Sequence, residues 1–245
     1  MSAAVERRVE ARVLTIRMRR PEKKNAITRE MYRAMADALA AADADDGVAA
    51  IVFCGVPGAF SAGNDIADFV AIAESGALPA EVRDFLHALA GVQKPLIAAV
   101  DGLAVGIGTT LLMHCDLAYA SPGSIFRTPF LDLGVTPEAA SSLIGPRLMG
   151  HQQAFALLVL GETFGAARAR EAGLITQVVE DPEAAAGDAA RRLGEKPAEA
   201  LRIARALLRG APDEIAARID LELRYFGERL RSDEAQAAFR AFLAR

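Results

Sequence analysis

The chain has 245 residues, of which 52% are hydrophobic and 24% charged, and its formal net charge is −4. This composition is typical of a folded globular protein with a sizeable core and excludes a disordered chain. The negative charge and the absence of tryptophan argue against a basic or base-stacking surface for nucleic acid.

The first hundred residues predict strands around one capped helix. Residues 5–19 alternate apolar and charged side chains, the period of half-buried strands. Thr28 suits the N-cap of a helix whose apolar stripe contains Met31, Met35, Ala38 and Leu39. The apolar runs at 48–55 and 96–100 predict strands covered on both faces. Residues 66–78 and 80–93 predict helices, with the polar break at 74–76 as the expected mobile point.

Two glycine-containing loops follow these strands. Gly63, in FSAGNDI (60–66), marks a place where the backbone turns tightly or approaches a ligand. Residues 101–108, DGLAVGIG, lead from a strand into a helix predicted over 109–115, so backbone N–H groups there can face a negative oxygen. The glycine spacing does not fit GxGxxG and no early βαβ unit surrounds it, which disfavours a dinucleotide-binding fold.

A strand predicted over 116–120 leads to residues 127–145, the stretch on which the functional hypothesis depends. Thr136 suits an N-cap and Pro137 the first helical position, which would place Glu138 in a first helical turn. One interpretation is a surface carboxylate stabilised by the helix dipole. The other is a carboxylate among apolar and small neighbours, whose pKa rises towards the range of proton transfer.

The last third predicts mainly helices. Residues 147–160 and 166–172 predict helices and 174–179 a final strand. From residue 183 onward Ala, Arg, Glu and Leu dominate, with breaks near Pro197, Gly210 and Gly227, which predicts a helical portion with solvated charged faces.

Other features exclude several classes of site. Cys54 and Cys115 lie in apolar runs and are interpreted as core residues, and the three histidines without paired cysteines do not predict zinc, so no metal site is expected. The N-terminus has no apolar signal region, and no segment reaches membrane-spanning length. We therefore expect a cytoplasmic protein that binds neither nucleic acid nor a membrane.

Five motifs in order resemble the crotonase (enoyl-CoA hydratase/isomerase) superfamily: RPEKKNAIT, FSAGNDI, KPLIAAVDGLAVGIG, CDLAYAS and GLITQVV. The segment TPFLDLGVTPEAASS is most like the Δ3,Δ2-enoyl-CoA isomerase branch. The resemblance implies an α/β fold of the ClpP/crotonase type, a spiral of ββα repeats in residues 1–190. It also implies a helical region over 191–245 that packs into a homotrimer or dimer of trimers, and an acyl-CoA substrate with no further cofactor.

Site residues follow from the same resemblance. The backbone N–H groups of Asn64 and Ile107 correspond to the family's oxyanion hole, and Glu138 corresponds to the single catalytic base of the isomerases. The positions that correspond to coenzyme A contacts are Lys23, Lys24, Ala26, Ala62, Asp65 and Ile66, although the two lysines are equally well interpreted as ordinary surface residues.

Thr110 and Phe130 stand where hydratases carry two water-activating glutamates, so hydration is disfavoured. Three alternatives stay open. The first is a hydratase. The second is an enzyme of another crotonase reaction, such as hydrolysis, dehalogenation or decarboxylation, that uses Asp68, Asp132 or His114. The third is a protein that binds acyl-CoA without catalysis. For His114 and Asp116 a structural role at the helix-to-strand junction is also expected.

Overall fold

The computed structural model describes residues 4–65 and 78–243, where ten strands form two sheets. In chain order the strands are β1 (Val5–Glu10), β2 (Val13–Met18), β3 (Ala50–Cys54), β4 (Ala59–Ser61), β5 (Leu96–Val100), β6 (Leu103–Val105), β7 (Leu117–Ala120), β8 (Ile125–Arg127), β9 (Phe164–Gly165) and β10 (Gln177–Val178). The larger sheet has the order β1-β2-β3-β5-β7-β10 and the smaller one β4-β6-β8-β9.

From β3 to β8, strands that follow one another in the chain alternate between the two sheets. The pairs β3–β4, β5–β6 and β7–β8 each place their first strand in the larger sheet and their second in the smaller sheet. Neighbours β2-β3-β5-β7-β10 are parallel, as are β4-β6-β8, whereas β1 and β9 pair antiparallel. This alternation confirms the predicted spiral of strand–strand–helix repeats.

Nine helices surround the sheets in the described part of the chain: α1 (Arg29–Asp43), α2 (Ala80–Gly91), α3 (Ile107–Thr110), α4 (Ser141–Leu158), α5 (Ala166–Glu171), α6 (Pro182–Gly194), α7 (Ala198–Arg209), α8 (Pro212–Leu230) and α9 (Asp233–Leu243). Short 3₁₀ turns occur at Pro21–Lys23, Leu111–His114 and Leu131–Leu133. The Thr28 side chain accepts from Met31 N–H, as predicted, and caps α1.

The central strands β3 and β5 of the larger sheet are covered on both faces, which explains why all their residues are apolar. All five residues of β3 and of β5 are buried. One face packs against α1, α2 and α8 in the main core, and the other against the small side chains of α6, Ala186, Ala189 and Ala190.

Some predicted boundaries are wrong. The helix expected over 147–160 begins at Ser141 and is kinked at Gly150, where φ is 73° and ψ is 160°. The strand expected over 174–179 is reduced to Gln177–Val178. The helix expected over 109–115 begins at Ile107 as α3 and continues as a 3₁₀ turn. The helix expected over 66–78, with its break at 74–76, lies almost wholly outside the described residues.

The division at residue 190 stays a prediction, and α6 (Pro182–Gly194) runs across it. Leu207 and Leu208, near the end of α7, are 79% and 89% exposed in the single chain. None of the helices in the described ranges combines the length and apolarity needed to cross a bilayer.

Candidate functional site

In the loop after β4, the backbone N–H group of Asn64 points away from the neighbouring segment at Ile27. Ile27 N–H donates to Gly63 O at 2.7 Å and Asp65 N–H donates to Ile27 O at 3.0 Å. In an extended segment successive N–H groups point to opposite sides, so the N–H of Asn64 points away from Ile27. Its side chain is held as well, because the Tyr32 hydroxyl donates to Asn64 Oδ1 at 2.5 Å.

The second loop touches the first through two glycines. A Cβ atom on Gly63, whose φ is +91°, would lie 2.9 Å from Val105 O and 3.9 Å from Gly106 Cα. Gly106, with φ of 55°, leads directly into α3. Since the first N–H groups of a helix have no intrahelical acceptor, Ile107 N–H is available to a ligand. The contact between the glycines therefore brings together the backbone segments that carry the Asn64 and Ile107 N–H groups.

Glu138 lies beside the other end of α3. The Thr110 hydroxyl donates to Glu138 Oε1 at 2.5 Å, and Glu138 is only 4% exposed. Thr110 follows Ile107 by three residues, which is about 4.5 Å along a helix axis. Glu138 is thus hydrogen-bonded to the last residue of α3, the short helix whose first residue is Ile107.

Burial dominates the electrostatics of this carboxyl group. It raises the pKa of Glu138 from 4.5 to about 8, because a charged carboxylate is disfavoured away from water. The Thr110 hydrogen bond opposes this shift, whereas the charge of Glu222 adds to it. Phe130 and Val135, in the turn that leads to Glu138, are also buried. A buried carboxyl group with this pKa is suited to proton transfer near neutral pH.

The predicted helical setting of Glu138 is wrong. The helix begins at Ser141, and Thr136 Oγ is buried without a hydrogen-bond partner instead of capping it. Ala139 and Ala140 intervene with φ of 60° and 54°. Ala139 and Ala140 thus separate Glu138 from the helix. The Glu138 side chain is buried, which agrees with the second of the two interpretations made from the sequence.

The predicted coenzyme A contacts lie around the first loop. Lys23 and Lys24 are exposed and form a basic turn. Lys24 O accepts from Ala62 N–H at 2.8 Å, which joins this basic turn to the loop after β4. Ala26, Ala62 and Asp65 are half-buried. The Asp65 carboxylate accepts from Arg20 Nη1 at 2.5 Å. The predicted contact Ile66 lies outside the described residues.

Sequence reasoning missed two residues that support the first loop. Asn25 is fully buried with φ of 56°, and its Nδ2 donates to the carbonyls of Ala59 and Phe60. Tyr32 lies on α1 outside the apolar stripe predicted from the sequence, and its hydroxyl reaches Asn64. Asn25 lies within the RPEKKNAIT motif, which is a usable signal, whereas nothing local indicates the role of Tyr32.

The alternative acid–base candidates lie in other settings. Asp132 is exposed and pairs with Arg127 at 2.7 Å. His114 is buried, and its Nε2 donates to Ala139 O at 2.7 Å, with its pKa lowered to about 4 by burial. Asp116 accepts from Arg205 and Leu96 N–H, in keeping with a structural role. Asp68 lies outside the described residues.

One cavity and the possible metal ligands can also be compared with the predicted site residues. A cavity of about 520 Å³, lined by residues of β1, β2, β3 and α6, contains none of the predicted site residues. Among the described residues, no group of three or more His, Cys, Asp or Glu side chains is arranged to hold a metal ion.

Comparison with known proteins finds relatives that match most of the chain. The chain is 35% identical over 246 residues to enoyl-CoA delta isomerase 2 of Rattus norvegicus, covering 96% of this chain but only 62% of that relative. It is 33% identical over 194 residues to 4-chlorobenzoyl coenzyme A dehalogenase-2 of Arthrobacter sp, covering 76% of this chain and 70% of the relative. The chain thus spans about three fifths of the length of the rat protein, and the two relatives are named for different reactions.

Structural comparison and a family model point the same way. The structure of Pseudomonas aeruginosa OdaA superposes with a TM-score of 0.94 at 42% identity, covering 100% of both chains. The model of the family described as enoyl-CoA hydratase/isomerase matches residues 8–245. Since this match includes both loops and Glu138, the chain belongs to the enoyl-CoA hydratase/isomerase family, whose fold is that of the crotonase superfamily.

Proposed function

We propose that the protein isomerises 3-enoyl-CoA thioesters to trans-2-enoyl-CoA thioesters, with Glu138 as the single acid–base group. The observation that carries this proposal is the buried Glu138 carboxyl group, which is hydrogen-bonded to Thr110 in the short helix that begins at Ile107. The similarity to an enoyl-CoA delta isomerase over 96% of the chain supports the same reaction.

The proposed reaction begins at the carbon between the thioester carbonyl and the double bond. Glu138 removes a proton from this carbon, and the electron pair delocalises into a dienolate with negative charge on the thioester oxygen. The N–H groups of Asn64 and Ile107 donate to that oxygen, and losing one such donor typically costs roughly 3–4 kcal/mol of barrier. Protonated Glu138 then returns the proton to the gamma carbon, which gives the 2-enoyl product. This sequence needs no metal or redox cofactor.

The surroundings of Glu138 favour isomerisation over hydration. Hydration requires a second polar group that orients water on the double bond. At the two positions that correspond to the water-activating glutamates of hydratases, this chain has Thr110 and Phe130. The Phe130 side chain is buried and has no hydrogen-bonding group, while the Thr110 hydroxyl is already bonded to Glu138. Low access for water also keeps the carbanionic intermediate from side reactions.

The test uses two substrates and two variants. Purified protein is incubated with 3-hexenoyl-CoA and with crotonyl-CoA, and the products are separated by chromatography. We expect 2-hexenoyl-CoA from the first and little hydrated product from the second. Glu138→Gln should abolish isomerisation, whereas Glu228→Gln, an exposed change on α8, should retain it.

Hydration of crotonyl-CoA as the main activity would replace this proposal by the hydratase alternative. Hydrolysis of the thioester would indicate another reaction of the superfamily. Tight binding of the CoA thioester without any chemical change would indicate a binding protein.

The exposed basic turn is proposed to contact the phosphates of coenzyme A. Lys23→Ala with Lys24→Ala is expected to raise KM for 3-hexenoyl-CoA by roughly threefold to tenfold, the size expected when two exposed ion pairs are lost. KM for the corresponding pantetheine thioester, which lacks the nucleotide, should not change. Lys196→Ala, an exposed charge removal after α6, is the control. An equal rise in KM for both thioesters would contradict a phosphate contact.

A homotrimer or a dimer of trimers is proposed for the assembly, and a cytoplasmic location stays a prediction. Leu207 and Leu208 are exposed in the single chain, and large apolar side chains grouped in this way are common at subunit interfaces. Sedimentation analysis should give at least three times the chain mass of 25.9 kDa. A monomeric mass would remove this part of the proposal.

A further inference from the structure

The first turn of α4 is capped by a residue from a distant helix. Ser142 N–H donates to Glu222 Oε1 at 3.0 Å and the Ser142 hydroxyl donates to the same oxygen at 2.5 Å. The N-cap position itself is Ala140, which offers no side-chain acceptor. Glu222, on α8 and 80 positions from Ser142, therefore supplies the carboxylate that a helix start normally takes from its own N-cap.

The turn before this helix start is strained and carries Glu138. Ala139 and Ala140 are both left-handed, a conformation that is unfavourable for residues with a Cβ atom. Such a backbone persists only where its surroundings hold it. His114 donates to Ala139 O on one side of the turn, and Glu222 holds Ser142 on the other.

Burial raises the pKa of the Glu222 carboxyl group, whereas its hydrogen bonds from Ser142 and the charge of Arg218 lower it. Glu222 is 6% exposed, and its Oε2 has no hydrogen-bond partner within the described ranges. Arg218, one turn earlier on α8, donates to the Ser142 hydroxyl at 2.9 Å. His114, which donates to Ala139 O in the same turn, is neutral near pH 7 because burial lowers its pKa to about 4. The like charge of Glu222 disfavours ionisation of Glu138 and so raises the pKa of Glu138.

We propose that Glu222 is a positioning residue for Glu138: it caps α4, holds the strained turn that carries the base, and places a second carboxyl group beside it. This inference rests on the proposed role of Glu138 as the base. It separates two effects of Glu222, a hydrogen-bonding effect on the position of the turn and a charge effect on the protonation of Glu138.

Two variants separate these effects. Glu222→Gln keeps an acceptor for the Ser142 N–H and hydroxyl groups but removes the charge, while Glu222→Leu removes both. Protein labelled with ¹³C at glutamate side chains is titrated by NMR, and the Glu138 signal is assigned from its loss in Glu138→Gln. In Glu222→Gln we expect the midpoint of Glu138 to fall by on the order of half a pH unit, the effect of one partly screened like charge.

Measuring kcat and KM provides a second test of the same variants. In Glu222→Leu the freed turn should lower kcat about a hundredfold with little change in KM, because misplacement of a catalytic group by about 1 Å costs this much. Glu222→Gln should recover most of kcat and shift the rise of kcat/KM to lower pH. Glu228→Gln, an exposed charge removal on the same helix, is the matched control for both readouts.

The NMR titration does not depend on the substrate, so it decides the inference even if 3-hexenoyl-CoA is not turned over. Hydrogen exchange of the 139–142 amides provides the matching measure of the turn, and exchange faster in Glu222→Leu than in Glu222→Gln is expected. Unchanged amide exchange in Glu222→Leu would overturn the positioning role, and an unchanged Glu138 midpoint in Glu222→Gln would overturn the charge effect.

Discussion

Replacing Glu138 by glutamine is expected to increase the free energy of unfolding at alkaline pH while abolishing the proposed isomerisation. Burial raises the pKa of Glu138 from 4.5 to about 8, so between these values the unfolded chain has released a proton that the native state still binds. The stability of the unsubstituted protein therefore falls as pH rises through this interval. At about 1.4 kcal/mol per pKa unit, the full interval corresponds to about 5 kcal/mol of destabilisation above pH 8.

The glutamine variant lacks this titration but has a cost of its own. Its Oε1 still accepts from the Thr110 hydroxyl, and burial of its amide NH₂ group in place of a protonated carboxyl oxygen is expected to cost about 1–3 kcal/mol. The variant should therefore be less stable than the unsubstituted protein below about pH 4.5 and more stable by about 2–4 kcal/mol above pH 8.

The measurement is urea denaturation followed by circular dichroism at about pH 5, 6.5 and 8.5. The difference in unfolding free energy between Glu138→Gln and the unsubstituted protein should move in favour of the variant as pH rises. Glu228→Gln, at an exposed position of α8, serves as the control for loss of one carboxylate. A difference that is the same at all three pH values would refute the reasoning, because it would show that Glu138 ionises with an ordinary pKa.

Two further substitutions test the geometry of the site. Thr110→Val removes the hydroxyl that donates to Glu138, so the pKa of Glu138 should rise further and the increase of kcat/KM with pH should move to higher pH; an unchanged profile would contradict this hydrogen bond. Gly63→Ala should lower kcat about a hundredfold or more, the typical effect of a lost oxyanion donor, because its Cβ would lie 2.9 Å from Val105 O. Gly58→Ala is the control, since its φ of +79° gives similar backbone strain but its Cβ meets nothing within 4 Å, and equal losses in both variants would indicate general destabilisation.

Local patterns predicted the elements that depend only on neighbouring residues. The Thr28 cap and the apolar stripe of α1 follow from hydrogen bonding and a period of 3.6 residues within one segment. The strands at 50–54 and 96–100 follow from runs in which every residue is apolar. The helix start near Glu138 could not be predicted in the same way, because Thr136 and Pro137 form a local signal that the tertiary structure overrides.

The sequence by itself determined the family and the identity of the candidate base, and its apolar runs indicated most strands of the larger sheet. Local patterns did not predict the short strands of the smaller sheet, β4, β6, β8 and β9. Only the tertiary structure decided that Glu138 is buried, that Thr110 donates to it, and that Glu222 holds the helix start next to it. These contacts join residues 28 and 80 positions apart in the chain. A periodic pattern reports which face of a segment is buried but not which distant polar group meets it there. The left-handed backbone at Ala139 and Ala140 is likewise stabilised by partners from other segments, so no preference of alanine itself indicates it.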